Sequence, residues 1–209
     1  MIVPSSPASG GRFTCQRPDT LPVSLRNGPG TRFGGGKLLH PLQDGVAVAA
    51  HAARNLVAAG LDVIAVVRSG DTVLGEMLEQ EQCRVTYSRE AVHGMGHTLA
   101  HGIASTREAA GWIVALADMP RIRPATIDAV VAALSAGAII AAPFYRGERG
   151  LPVGFGTPVR DELLQLRGDT GARAVIERRR DTMVRIECDD PGVILDIDTR
   201  EDLRKLDAK

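Results

Sequence analysis

Aromatic side chains are nearly missing from this sequence, at 3% of 209 residues. That excludes a platform of stacking rings of the kind that holds single-stranded nucleic acid. Net charge is missing as well: Lys and Arg number 25, Asp and Glu 25, and the formal balance is +0. No field of one sign therefore favours nucleic acid or an anionic membrane. Cysteine is scarce. Cys15, Cys83 and Cys188 are odd in number and far apart, a spacing that suits neither a disulfide framework nor a zinc knuckle and predicts a reducing compartment. No apolar run approaches the length of a membrane span. Residues 1–20 hold Pro, Ser, Gly and Arg without an apolar h-region, so they are expected to be a disordered arm rather than a secretory signal. The expected location is the cytoplasm.

What remains has an ordinary globular composition, 44% hydrophobic and 24% charged. Its length suits one core, so residues 21–209 are expected to form a single domain. Apolar residues at helical spacing over 46–59 end at Gly60, a natural helix stop. Val63-Ile64-Ala65-Val66-Val67 has the continuous β-branched character of a strand buried on both faces. Asp71 can cap a short helix with Val73, Leu74, Met77 and Leu78 inward, and a short strand over 84–87 follows. A helix is expected from near Gly96 through Ile103, and a buried strand over 112–117 ending in Asp118-Met119-Pro120. Residues 124–136 begin with proline and carry Ile127, Val130, Val131 and Leu134, a helical pattern. Strands over 138–142, 151–155 and 183–188 and helices over 161–166, 172–179 and 199–206 complete the chain. Alternation of this kind predicts an α/β fold with a mostly parallel sheet. The strand over 151–155 follows its predecessor through a short turn, so it is expected to be antiparallel or on an edge.

Five glycines, two cations and a hydroxyl crowd into Gly28-Pro-Gly-Thr-Arg-Phe-Gly-Gly-Gly-Lys37. Freed backbone N–H groups can cradle an anion while Arg32 and Lys37 neutralise it; a mobile surface turn is the competing reading. Ligands of open α/β sheets bind beyond the carboxyl ends of the strands. Asp118, directly after a buried strand, can there hold Mg²⁺ together with phosphate oxygens, or simply cap a turn. In Leu195-Asp196-Ile197-Asp198 an extended backbone sends both acids to one side; a helix N-terminal acidic box is the alternative, and for Asp196 the favoured one. His93-Gly-Met-Gly-His-Thr98 is a second glycine loop feeding a helix, with N–H groups and the Thr98 hydroxyl available to a nucleotide. His93, His97 and His101 are four apart, but the glycines between them argue against a zinc face. Gly168-Asp-Thr-Gly-Ala-Arg173 can recognise a polar or phosphorylated group, or be a turn with an internal Asp–Arg pair.

Taken in order, Gly28-x-Gly-Thr-Arg-Phe-Gly-Gly-Gly-Lys37, Gly94-Met-Gly-His-Thr, Ala115-Leu-Ala-Asp118-Met-Pro, Gly150-Leu-Pro-Val-Gly-Phe, Gly168-Asp-Thr-Gly-Ala-Arg173 and Asp196-Ile-Asp-Thr resemble the nucleotidyltransferases of the molybdenum cofactor cytidylyltransferase type. The resemblance runs from about Leu25 onward. It implies a Rossmann-like three-layer fold with a mostly parallel mixed sheet, of the nucleotide-diphospho-sugar transferase type. The implied reaction transfers CMP from CTP to molybdopterin cofactor with Mg²⁺ and releases pyrophosphate. The implied partner is a molybdenum hydroxylase or its chaperone, with no nucleic acid and no membrane. By the same resemblance Gly28, Gly30, Thr31, Arg32 and Lys37 hold the triphosphate, and Gly94, Gly96 and Thr98 line the nucleotide pocket. Asp118 and Asp198 are the metal-side acids. Lys37, Arg32 and Asp118 are the catalytic set, and Pro152, Gly168, Asp169 and Arg173 face the acceptor. A guanylyltransferase, a phospho-sugar or alcohol nucleotidyltransferase, and a non-catalytic molybdopterin-binding protein are the alternatives.

The chain departs from the family at its first loop, where Leu25-Arg26-Asn27-Gly28 stands for Leu-Ala-Ala-Gly and Pro22 interrupts the preceding strand. Proline removes a ladder donor, and bulky residues block close approach to a nucleotide. A weakened first strand and impaired nucleotide binding are the expected results.

Overall fold

The continuous apolar runs become central strands, and the alternation within them divides the interior into two cores. The computed structural model describes residues 21–23, 33 and 35–207. Strands β1 (Leu21–Val23), β2 (Val63–Arg68) and β3 (Arg84–Ser88) form a parallel unit in the order β1-β2-β3. Helices α1 (Val48–Ala58) and α2 (Thr72–Gln80) connect them. The chain then crosses through α3 (Met95–Ala104) to β4 (Gly111–Val114), which lies alongside β1. Helix α4 (Pro124–Ser135) leads to β5 (Ile140–Tyr145), a two-residue β6 (Glu148–Arg149) and β7 (Val153–Gly156). Short helices α5 (Arg160–Leu164) and α6 (Arg173–Arg178) precede β8 (Met183–Glu187), and α7 (Arg200–Asp207) ends the described chain. The second group of strands runs β4-β7-β5-β6, with β8 parallel to β5.

Side-chain alternation makes three layers. Ile113, Ala115 and Ala141 face a core with Ala53 and Leu56 of α1, Leu78 of α2 and Ile127 and Val130 of α4. Trp112, Val114, Ile140 and Ala142 face the other side, with Leu99 and Ile103 of α3, Leu163 of α5 and Val175 of α6. The fully buried Trp112 indole donates to Thr106 Oγ1 at 3.0 Å, the polar partner that a buried Trp requires.

One expectation changes and two are sharpened. Strand β1 forms, with Pro22 paired to Ile64 of β2, although it is only three residues long. The strand expected over 112–117 stops at Val114; residues 115 and 117 stay buried, so an apolar run reported burial there rather than a ladder. Strand β7 is antiparallel, the first of the two outcomes expected for it, and lies between β4 and β5. The arm expected over 1–20 lies outside the described residues.

Asp190 anchors the back of the sheet. It is 2% exposed, and its carboxylate accepts from Arg123 N at 2.9 Å, Thr126 Oγ1 at 2.7 Å and Gly192 N at 3.0 Å. Asp190→Ala leaves three donors without their acceptor and is expected to cost about 3 kcal/mol, measured by urea unfolding. A loss below about 1 kcal/mol would show that water reaches those donors.

Candidate active site

The strand order reverses direction beside β1: the chain builds outward to β2 and β3, then returns to β4 on the other flank. A crevice opens at such a point beyond the strand ends. The segment after β1 delivers Lys37, which opens a single turn (Lys37–Leu39) pinned by the buried Leu38. The segment after β4 delivers Asp118, four residues past the ladder. The two meet: Lys37 Nζ donates to Asp118 Oδ2 at 2.8 Å and to Asp198 Oδ1 at 3.2 Å.

Asp198 arrives because the backbone carries it there. Ile197 N donates to the Asp118 carbonyl at 3.0 Å, and the Ile197 side chain is fully buried with Phe33, Leu42, Val48 and Leu203. Beyond it Thr199 and Asp202 form a reciprocal cap, with Thr199 N to Asp202 Oδ2 at 2.7 Å and Asp202 N to Thr199 Oγ1 at 3.2 Å. Capping at the start of α7 is thus done by Thr199 and Asp202. Asp196 is released from the capping role expected for it and lines a cavity instead.

The electrostatics are those of a cation site. Burial alone would depress the Lys37 ammonium, but the hydrogen bonds and charges of Asp118, then of Asp198, outweigh it and raise the pKa above the ordinary lysine value. Partial burial first, then the charges of Asp198 and Asp118, lift the Asp196 carboxyl above its usual range, although the residue as a whole is exposed. Asp118 Oδ1 is buried and has no hydrogen-bond partner among the described residues. An orphaned carboxylate oxygen of that kind costs free energy unless a ligand meets it. Among the described residues no three His, Cys, Asp or Glu form a ready-made metal cluster. The arrangement still fits Mg²⁺ or Mn²⁺, which is commonly held by one or two carboxylates with substrate phosphates completing the shell.

Two glycine loops dock against each other beside this centre. Gly96 N donates to the Gly168 carbonyl at 2.7 Å, and Gly168 N donates to His97 Nδ1 at 3.2 Å. A Cβ on Gly94 would lie 2.6 Å from Asp169 Oδ1. Gly94 and Gly96, expected on the nucleotide side, and Gly168 and Asp169, expected on the acceptor side, therefore form one unit. Thr98 is buried and its hydroxyl donates to the Gly94 carbonyl at 3.2 Å, so it closes the first turn of α3. His101 turns to Thr86 Oγ1 at 2.9 Å, away from His93 and His97. Gly28, Gly30, Thr31 and Arg32 lie outside the described residues.

A cavity of about 360 Å³ opens next to Asp196, floored by Met95, Leu116, Val153 and Phe155 and rimmed by Arg149 and Arg173. Pro152 points elsewhere, into a small void with Asn55 and Ile127 on the opposite face; its neighbours Leu151 and Val153 line the cavity instead. Arg173 pairs with Glu177 at 2.7 Å rather than forming the internal turn pair with Asp169. Residues the motifs did not single out also appear here: Met95, Leu116 and Arg149.

A family model for the MobA-like NTP transferase domain matches residues 25–183. The chain belongs to that family. Nicotine blue oxidoreductase of Paenarthrobacter nicotinovorans is 26% identical over 192 residues, 88% of this chain and 94% of that protein. The crystal structure of Rv0371c from Mycobacterium tuberculosis H37Rv matches with TM-score 0.79 at 25% identity, covering 93% of this chain and 100% of that one. A structure of Rv0371c in complex with manganese matches with TM-score 0.76, also at 25% identity, over 92% and 99% of the two chains. The MobA-like chain described here thus has the Rossmann-like fold of the nucleotide-diphospho-sugar transferases and is a nucleotidyltransferase by family. No helix among its described residues is long and apolar enough to cross a membrane.

Proposed function

We propose that this chain transfers CMP from CTP to the terminal phosphate of molybdopterin cofactor, releases pyrophosphate, and works in the cytoplasm with Mg²⁺ for a molybdenum hydroxylase or its chaperone. The observation that carries the transferase chemistry is the Asp118–Lys37–Asp198 constellation, with its orphaned Oδ1, beside a cavity large enough for an acceptor. Choice of acceptor and base rests on the six ordered motifs. The manganese complex of Rv0371c supports a divalent ion.

Attack of one phosphate on another needs two polyanions brought together and their repulsion neutralised. Asp118 and Asp198 would hold the metal ion, which when bound supplies positive charge at the transferring phosphoryl group. Lys37 adds a second cation, and the Gly94–Gly96 loop, docked on Gly168, offers a rigid wall to the nucleotide. The apolar cavity excludes water from the acceptor. No protein nucleophile is needed. Burial pushes the Cys83 thiol up to about 12, which leaves it inert.

Turnover with CTP or GTP, Mg²⁺ and molybdenum cofactor, followed by pyrophosphate release, tests the proposal. Cofactor binding without release would identify a non-catalytic carrier, and release with GTP alone a guanylyltransferase. The near full-length likeness to nicotine blue oxidoreductase favours a second reading, in which the cavity holds the substrate of a redox reaction and a separate two-electron donor or acceptor supplies or takes the electrons. Turnover of nicotine blue with an added reduced nicotinamide as the two-electron donor, without any nucleotidyl transfer, would select it.

Lys37 gives a prediction with two signs. Lys37→Met is expected to lower kcat/KM for CTP about a hundredfold, through loss of a cation on the triphosphate. The same change leaves Asp118 and Asp198 uncompensated, so Mn²⁺ binding without nucleotide should tighten. Titration calorimetry checks this, and weaker Mn²⁺ binding would count against the shared site.

A further inference from the structure

Beyond the acceptor cavity the molecule carries a second cleft, of about 530 Å³, reached past Arg149 and Arg173, which line both spaces. Its walls come from β6, α6, the turn after α6, and β8. Four guanidinium groups, Arg149, Arg173, Arg180 and Arg185, stand around it against two carboxylates, Glu177 and Asp181. Glu177 is engaged by Arg173 at 2.7 Å. The Arg185 guanidinium carbon sits over the Phe144 ring, 3.7 Å from its centre, and the group is paired with Glu187 at 3.2 Å. Arg149 and Arg180 have no carboxylate partner among the described residues. Partial enclosure first, then repulsion by Arg173, lower the pKa of the Arg149 guanidinium against a weaker attraction from Glu177. A structural salt-bridge network would place an acid between these groups. Here two of the four arginines are paired, and with Glu187 counted beside Glu177 and Asp181 the groups around the cleft keep an excess of one positive charge.

We infer that this arginine cleft is a second anion subsite, which holds an anionic group of the acceptor apart from the transferring phosphate. The inference rests on the reading of the 360 Å³ cavity as the acceptor site. Its occupant would span both spaces, with its body over Met95, Leu116 and Phe155 and a second anionic group among the arginines. Planar guanidinium forks suit a multi-oxygen anion in two-pronged contacts. The cleft would then set both which acceptor is taken and which way round it lies.

Arg149→Met and Arg180→Met, made singly and together in the full chain, test the inference. Both residues are exposed, so the variants should fold. With CTP, Mg²⁺ and molybdenum cofactor, the double variant should raise the acceptor KM about thirtyfold or more while kcat falls no more than threefold, as loss of two charge-assisted contacts implies. Unchanged acceptor KM in an active double variant overturns the inference and leaves the transferase reading intact. A second arm needs no turnover. Inorganic phosphate, titrated into the protein alone against sodium chloride of equal ionic strength, should raise the thermal midpoint. The apparent phosphate affinity should fall at least tenfold in the double variant and persist in Lys37→Met. Equal affinity in wild type and double variant overturns the subsite even where the wild type proves inactive with every nucleotide.

Discussion

Asp118→Ala should reduce metal-dependent nucleotidyl transfer about a thousandfold while leaving the fold nearly as stable as before. The activity loss follows from removal of the carboxylate that would hold the metal at the transferring phosphate, a preorganised charge of the kind whose deletion costs two to three powers of ten. The stability result follows from two opposed effects. The change deletes the partner at 2.8 Å from Lys37, but Lys37 keeps Asp198. It also removes the buried oxygen without a partner, whose burial costs about 1–3 kcal/mol. A residue that weakens the fold and strengthens the chemistry is the usual signature of a working site. Asp118→Asn keeps the shape without the charge, so it should lose nearly as much activity. Pyrophosphate release and a thermal melt on the same preparations decide the matter. A variant retaining more than a tenth of the activity removes Asp118 from the metal site.

Gly94→Ala should be the most damaging single methyl in the molecule's ligand-facing half. Gly94 has φ +121°, a conformation essentially closed to other residues. An added Cβ would sit 2.5 Å from the backbone carbon and oxygen of Gly168, atoms that cannot rotate away. Strain of about 1–3 kcal/mol and overpacking of similar size sum to about 3–5 kcal/mol. For a chain of this length that is a fall of roughly 10 °C in thermal midpoint. Separating the loops also breaks the Gly96–Gly168 hydrogen bond, so KM for nucleotide and acceptor should rise together. Gly137→Ala is the control, with φ +95° but open space around its Cβ; it should cost only about 1 kcal/mol. Similar losses in both variants would mean that strain alone, and not contact between loops, is responsible.

Much of the architecture could be read before the structure was known, because buried strands and amphipathic helices announce themselves by period. Helix α4 begins at Pro124 as its proline implies, and β2 is the β-branched run. Lys37, Asp118 and Asp198 were legible for another reason: each follows a break in regular structure at the edge where ligands bind. Met95, Leu116 and Arg149 were not legible. Their roles depend on which elements face each other across the cavity, and nothing local encodes that. Thr98 and Pro152 show the converse, since a suggestive residue type can be claimed by its own helix turn or by the far side of the sheet. Asp196 was undervalued because Thr199 and Asp202 perform the capping that sequence alone could equally assign to it.

The bond between Ile197 and Asp118, with Lys37 between the acids, has a consequence for how the molecule comes into being. Lys37 reaches partners 81 and 161 residues away along the chain. Loops of that length close only when nearly everything between them is already in place. No half of the protein, however well folded, possesses this centre, and no independently folding module can be exchanged to alter it. The candidate centre is therefore a property of the finished chain and is lost when either flank of the sheet lets go.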